Sequence, residues 1–182
     1  MKPNKEDIEQ FYDLLSHDGE TNLRVFKGGK VKNIFTKGKE DFVNKCLFYN
    51  KDHDVYAGVN ERSASGTKTV DVVKVKNFFL DIDPIREKGV NATKEQFTHA
   101  KTVAGKIIKE YPNVTKILSG NGFHLYYKIK TIILDGKNRE SEQLKRKALM
   151  NDFAKKFGTK EVKIDSVHDF ARVMRVAGTV SF

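Results

Sequence analysis

Apolar residues along this chain recur at two periods, about 3.6 and 2, and the switches between them mark out its elements. Ile8, Phe11, Tyr12 and Leu15 fall at helical spacing over residues 4–15, with Asn4 placed to cap the first turn. Residues 22–27 and 31–36 flank Gly28-Gly29-Lys30 and predict a hairpin. A second helix is expected over 39–50, with Phe42, Val43, Cys46 and Leu47 inward, then a short strand over 54–60 and a polar loop over 61–68. A long strand follows over 70–83. Thr93-Lys94-Glu95-Gln96 is a capping box that opens a helix with Phe97, Ala100, Ala104, Ile107 and Tyr111 on one face. The apolar runs 114–118 and 123–129 are joined by Ser119-Gly120-Asn121-Gly122, a strong hairpin signal. A loop at 135–138 leads to a basic helix over 139–157, with Leu144, Ala148, Phe153 and Phe157 expected inward; strands are expected over 162–165 and 173–180.

After residue 70 the order is strand, helix, hairpin, helix, strand. That interleaving predicts an α+β fold, with mostly antiparallel open sheet or sheets and helices on one face. The 182 residues read as one domain, with an N-terminal αβ part over 1–69 and a second part over 70–182. The chain contains no internal repeat and no low-complexity tract.

Chemistry enters with Asn77-Phe78-Phe79-Leu80-Asp81-Ile82-Asp83-Pro84. On a strand, Phe79, Asp81 and Asp83 share one face, and residues two apart lie roughly 6.6 Å apart. Pro84 places the two acids at the strand's end. Two carboxylates within about 4 Å repel by roughly 4 kcal/mol at an effective dielectric of 20. A divalent cation removes that repulsion, and hard oxygen ligands suit magnesium or manganese. A strand end with two solvated acids is the other reading of this segment alone. In the hairpin, Gly120 and Gly122 allow close backbone approach, turn N–H groups can hold phosphate oxygens, and His124 adds a donor; a plain hairpin remains open. Asp165 ends a second apolar-flanked run and offers a third carboxylate. Arg172 and Arg175 could grip phosphates through charge-assisted bonds, or Asp165 could cap a short helix with both arginines exposed.

Composition narrows the classes. Hydrophobic residues make up 38%, including 13 Phe and 6 Tyr, enough for a sizeable core. No apolar run approaches the roughly 20 residues a bilayer span needs, and no signal-peptide pattern is present, so a cytoplasmic, non-membrane protein is expected. The single cysteine, Cys46, excludes an internal disulfide and a multi-cysteine zinc site, and reads as a core residue. The net charge of +10 is uneven: residues 1–100 carry 17 Lys+Arg against 16 Asp+Glu, and residues 101–182 carry 17 against 8. A basic half beside an acid-bearing strand suggests a polyanion held near a metal, although basic surfaces also serve solubility alone.

Taken together, Phe79-Leu80-Asp81-Ile82-Asp83, Ser119-Gly120-Asn121-Gly122-Phe123-His124, and Asp165 followed by Arg172-x-x-Arg175 resemble the archaeo-eukaryotic primase superfamily. The closest likeness is to the primase–polymerases of plasmids, phages and other mobile elements, and Gly58-Val59-Asn60-Glu61-Arg62 resembles that family's upstream nucleotide-binding region. The resemblance implies a primase-type catalytic core with an RRM-like palm. It implies metal-binding and catalytic roles for Asp81, Asp83 and Asp165, with Mg2+ or Mn2+ in a two-metal site. It implies nucleotide contacts from Ser119, Asn121, Gly122, His124, Arg172, Arg175 and Arg62. The family often continues through Pro-Gly-Thr-x-Asn and a lysine where this chain reads Ala177-Gly178-Thr179-Val180-Ser181. The chain is therefore expected to be the catalytic part of a longer replication protein, with a helicase or priming module as a possible further partner.

The function expected is template-dependent nucleotidyl transfer, as a DNA primase or DNA polymerase, with nucleoside triphosphates and a single-stranded DNA template and primer. The region 139–163 is the candidate template surface. Two alternatives stand beside it. A tyrosine-dependent replication-initiator endonuclease needs a His-x-His pair, and His124-Leu125-Tyr126 lacks the second histidine. A non-catalytic single-stranded nucleic-acid-binding domain would stack bases on aromatics such as Phe79 or Tyr126, but it leaves Asp81 and Asp83 unexplained.

Overall fold

The computed structural model describes residues 2–63 and 65–182. Four helices and nine strands follow in the order α1 (Lys5–Leu15), β1 (Glu20–Lys27), β2 (Lys30–Lys37), α2 (Gly38–Tyr49), β3 (Asp54–Gly58), β4 (Glu61–Arg62), β5 (Val72–Pro84), α3 (Lys94–Glu110), β6 (Thr115–Leu118), β7 (Phe123–Ile133), α4 (Arg139–Phe157), β8 (Val162–Asp165) and β9 (Val173–Arg175). The fold is α+β with antiparallel sheets, as the element order predicts. One sheet runs β2-β1-β3-β9; the other runs β4-β5-β7-β6, with β8 added to β5. The chain forms two units: residues 1–77, 130–136 and 169–182 in the first, and residues 78–129 and 137–168 in the second. Both β5 and β7 contribute residues to each.

In the first unit, strand alternation places Leu23 and Val25 of β1, Ile34 of β2, Val55 and Ala57 of β3 and Met174 of β9 in the core. Helix α2 packs on β1, β2 and β3 through Phe42, Val43 and Cys46, and α1 packs on α2, with Tyr12 and Phe42 rings 5.2 Å apart. Cys46 is fully buried and its thiol is pushed well up by desolvation, which suits a core residue and not a nucleophile. Asn4 caps α1 as expected, its Oδ1 accepting from Glu6 N–H at 3.0 Å. At the other end of α1, the buried Asn77 amide donates to Leu14 and Leu15 carbonyls, two of the acceptors a helix end leaves unpaired. The strand expected over 173–180 is shorter, because Gly178 takes φ +81° and turns the chain onto the start of α1, where Asn4 N–H donates to its carbonyl.

Glu61 on β4 is buried, and that burial favours its neutral form. The Asp18 N–H, Lys74 and Lys76 outweigh this and hold its carboxyl below the ordinary range. A carboxyl held below its unfolded value stabilises the fold above about pH 4.3. That contribution is lost as the pH falls through the folded value. Acid unfolding of the Glu61→Gln variant, followed by circular dichroism between pH 7 and pH 3, should therefore be shallower than that of the wild type.

In the second unit, α3 buries Ala100, Val103, Ala104 and Ile107, and Phe97 meets Phe123 at 5.0 Å. Thr93 and Gln96 form both bonds of the capping box, at 3.2 and 3.0 Å. Helix α4 departs from expectation. Leu144 is 60% exposed and Ala148 is also exposed, while Arg146, Met150 and Phe153 face inward at i, i+4 and i+7. The guanidinium of Arg146 lies 5.4 Å from the Phe78 ring and 5.1 Å from the Phe79 ring. A desolvated cation–π contact of this kind contributes about 2 kcal/mol, and the aliphatic stem packs like a hydrophobe. The inward face therefore contains a charge where an apolar pattern predicts leucine. Among the described residues, no helix is long and apolar enough to cross a membrane.

Candidate metal centre

Within the second unit, β5 is apolar on both faces from Phe78 to Leu80, all buried, and then ends in Asp81, Ile82, Asp83 and Pro84. Strand β8 pairs antiparallel with this end and sets Asp81 opposite Asp165, Ile82 opposite Ile164 and Asp83 opposite Lys163. Alternation then puts Asp81, Asp83, Asp165 and Lys163 on one face. Side chains directly opposite in an antiparallel pair have Cβ atoms about 5 Å apart, and like charges there are destabilising. One oxygen from each aspartate lies within 4.8 Å of the others, and all three residues are half-buried. Among the described residues this is the one such group of three or more potential ligands. Three convergent hard oxygen donors could hold a metal ion.

Charges around the cluster act on it in both directions. Lys163 Nζ lies 3.1 Å from Asp165 Oδ1. Desolvation pushes the Asp83 carboxyl above its ordinary value and Asp165 adds to this, against Arg86 and Lys163. A carboxyl held above its unfolded value costs the fold stability as the pH rises through that raised range, so the charged cluster opposes folding at neutral pH. At 4.8 Å and an effective dielectric of 20, one such repulsion is about 3 kcal/mol. Asp83→Asn should consequently melt at a higher temperature than wild type in the presence of a chelator. Added Mn2+ should raise the wild-type melting temperature and leave that of the variant nearly unchanged; differential scanning calorimetry reads both.

Strand β7 brings the hairpin to the same face. Tyr126 stacks on Phe79 with ring centroids 5.6 Å apart, and His124, two residues earlier, sets Nε2 3.5 Å from Asp81 Oδ1. Two residues earlier again, Gly122 meets the end of β5: a Cβ there would lie 2.1 Å from the Ile82 carbonyl oxygen and 2.8 Å from Asp83 Oδ1. Only a glycine lets the turn approach so closely. Gly120 turns at φ +100° with open space around it. Ser119 Oγ accepts from Gly122 N–H at 3.0 Å, and Asn121 Oδ1 accepts from Ala92 N–H at 2.8 Å, tying the turn to the approach of α3. Phe79 and Tyr126 are fully buried against each other, so the base-stacking role that the alternative binding-domain reading gives them is not open to them. Burial, with the charge of Asp81, also pushes the Tyr126 phenol well up.

The structure thus brings together Asp81, Asp83, Asp165, Gly122 and His124. Arg62, Arg172 and Arg175 belong to the first unit. There Arg62 is buried, its guanidinium donating to the Ala171 carbonyl at 2.7 Å and the Lys68 carbonyl at 3.2 Å, while desolvation draws its pKa down. The Asn60 amide donates to the Phe170 carbonyl at 3.0 Å, and Gly58 pairs with Val173, so the 58–62 segment lies beside 170–175. Arg175 pairs with Asp54 at 2.7 Å, donates to the Tyr56 hydroxyl at 2.9 Å and lies over that ring. Arg172 makes an exposed pair with Asp169 at 3.2 Å. Sequence reasoning missed Lys163; its place opposite Asp83 follows from the β5–β8 register, which no local pattern fixes. No protein-family model matches this chain, and no curated protein matches it.

Proposed function

We propose that this chain is a metal-dependent nucleotidyltransferase of the archaeo-eukaryotic primase type, extending a strand on a single-stranded DNA template. The observation that supports it best is the convergence of Asp81, Asp83 and Asp165 at the end of paired strands, with a glycine turn against the same strand end. Aspartates 81, 83 and 165 would hold two divalent ions, Mg2+ or Mn2+. The chemistry supplied by bound ions is alignment of the attacking 3′-hydroxyl with the α-phosphate and stabilisation of charge on the attacking and leaving oxygens.

The chain's own residues position and neutralise. His124, held against Asp81, orients that carboxylate and presents its ring to the nucleotide from a buried strand. Ser119 and Asn121 fix the turn, whose backbone N–H groups are the proposed phosphate donors. In the first unit, Arg62 and Arg175 are engaged within the fold, which leaves Arg172 as the arginine to test for anion binding. Of the three, Arg172 has the weakest hold on its present partner, since an exposed ion pair is worth about 0–1 kcal/mol. A base-stacking binding module with no catalysis has less support, because Phe79 and Tyr126 are turned into the core.

The test is primer extension and unprimed synthesis on single-stranded DNA with Mg2+ or Mn2+ and either nucleotide set. Metal-dependent, template-directed incorporation is expected. No incorporation under any combination, by a chain that binds both metal and template, would overturn the reading.

A further inference from the structure

In the first unit, the tip of the β1–β2 hairpin and His53, in the turn between α2 and β3, border an open concavity of about 420 Å3. Val25, Lys27, Gly28, Lys30, Val31, Lys32 and His53 line it. Beside it runs a ladder of rings: Phe48 meets Tyr49 edge-on at 5.0 Å, and Tyr49 meets His53 edge-on at 5.7 Å. Phe48 is 63% exposed, far from the usual fate of phenylalanine. Lysines frame the ladder. Lys51 lies 5.5 Å from the Phe48 ring centroid, and Lys32 lies 5.5 Å from that of Tyr49, with Nζ 3.3 Å from its hydroxyl. Lys27 pairs with Asp52, the acid of this patch, which also contacts His53.

The charge is local and not a background. Residues 1–100 are nearly neutral, with 17 cations against 16 anions, yet Lys27, Lys30 and Lys32 line this hollow and Lys51 flanks the ring ladder, with Asp52 paired to Lys27. An exposed ring beside a lysine-lined hollow suits a ligand that alternates flat aromatic faces with phosphates. Base–aromatic stacking and phosphate neutralisation are the two terms by which proteins hold single strands without reading sequence.

We propose that this surface is a binding site for single-stranded nucleic acid. Phe48 offers a stacking platform, and Lys30, Lys32 and Lys51 neutralise backbone phosphates. The site uses none of the residues of the metal centre. It therefore stands whether or not the chain transfers nucleotides.

The test uses the full chain, a fluorescently labelled single-stranded oligonucleotide, and anisotropy at several salt concentrations with chelator present. Phe48→Ala should weaken binding about tenfold, the scale of one lost stacking contact. Lys30→Ala with Lys32→Ala should lower affinity and make the salt slope shallower by about 1.4, at 0.7 per phosphate contact on single strands. Asp52→Asn should bind more tightly. All four side chains are exposed, so melting temperatures near the wild-type value are expected and check the fold. With chelator present the metal centre does not enter the measurement, which separates a failure here from a failure of the metal reading. Unchanged affinity and slope in the Phe48 and lysine variants would overturn the proposal. So would a loss of slope with no effect of Phe48→Ala, the signature of an unspecific polyanion surface.

Discussion

Replacing Asp81 with asparagine is expected to lower nucleotide incorporation by a hundredfold or more, the scale of losing one contact that stabilises developing charge. The argument is positional. Asp81 is paired across the ladder with Asp165, lies on the same face as Asp83, and touches His124, so it links both other carboxylates to the histidine. The substitution keeps shape and removes one charge from a cluster that repels itself, so the fold should survive with an unchanged or higher melting temperature. Extension rates and thermal melts of the same preparation separate the two effects. Residual activity within threefold of wild type would mean that Asp81 is a strand-end acid and no more.

Gly122→Ala should be strongly destabilising for a single added methyl. The added carbon would sit 2.1 Å from a backbone oxygen of β5, which cannot swing aside as a side chain can. Overpacking a well-fitted site costs about 1–3 kcal/mol, occasionally more, and a clash with backbone belongs at the upper end. For a domain of this size, each kcal/mol lowers the melting temperature by about 2–4 °C, so a drop of roughly 6–12 °C is expected. Because the displaced atoms belong to Ile82 and Asp83, metal affinity should fall as well. Gly120→Ala is the control: it meets open space, and its cost comes from φ +100° alone, about 1–2 kcal/mol. Equal melting temperatures for the two variants would show that the turn does not press on the acid strand.

How much of this was legible in the sequence depended on whether the signal was local. The cap at Asn4, the capping box at Thr93 and Gln96, and both hairpins rest on neighbouring residues, and each formed as expected. The alternation of Phe79, Asp81 and Asp83 likewise placed two carboxylates on one face. The inward face of α4 was misjudged because hydropathy ranks leucine above arginine, whereas Arg146 buries its stem and sets its charge over two rings. The early end of the last strand was hidden for a similar reason: Gly178 bends to meet Asn4, a contact 174 positions away. Lys163 and the tight seat of Gly122 depend on strand register, which only the folded chain reveals.

The central claim is that Asp81, Asp83 and Asp165 form one metal centre. Titration calorimetry of Mn2+ into wild type and into the Asp81→Asn, Asp83→Asn double variant tests it most directly. Saturable binding by wild type, lost in the double variant while its circular dichroism spectrum is unchanged, is the predicted result. Equal binding by the two proteins would contradict the account.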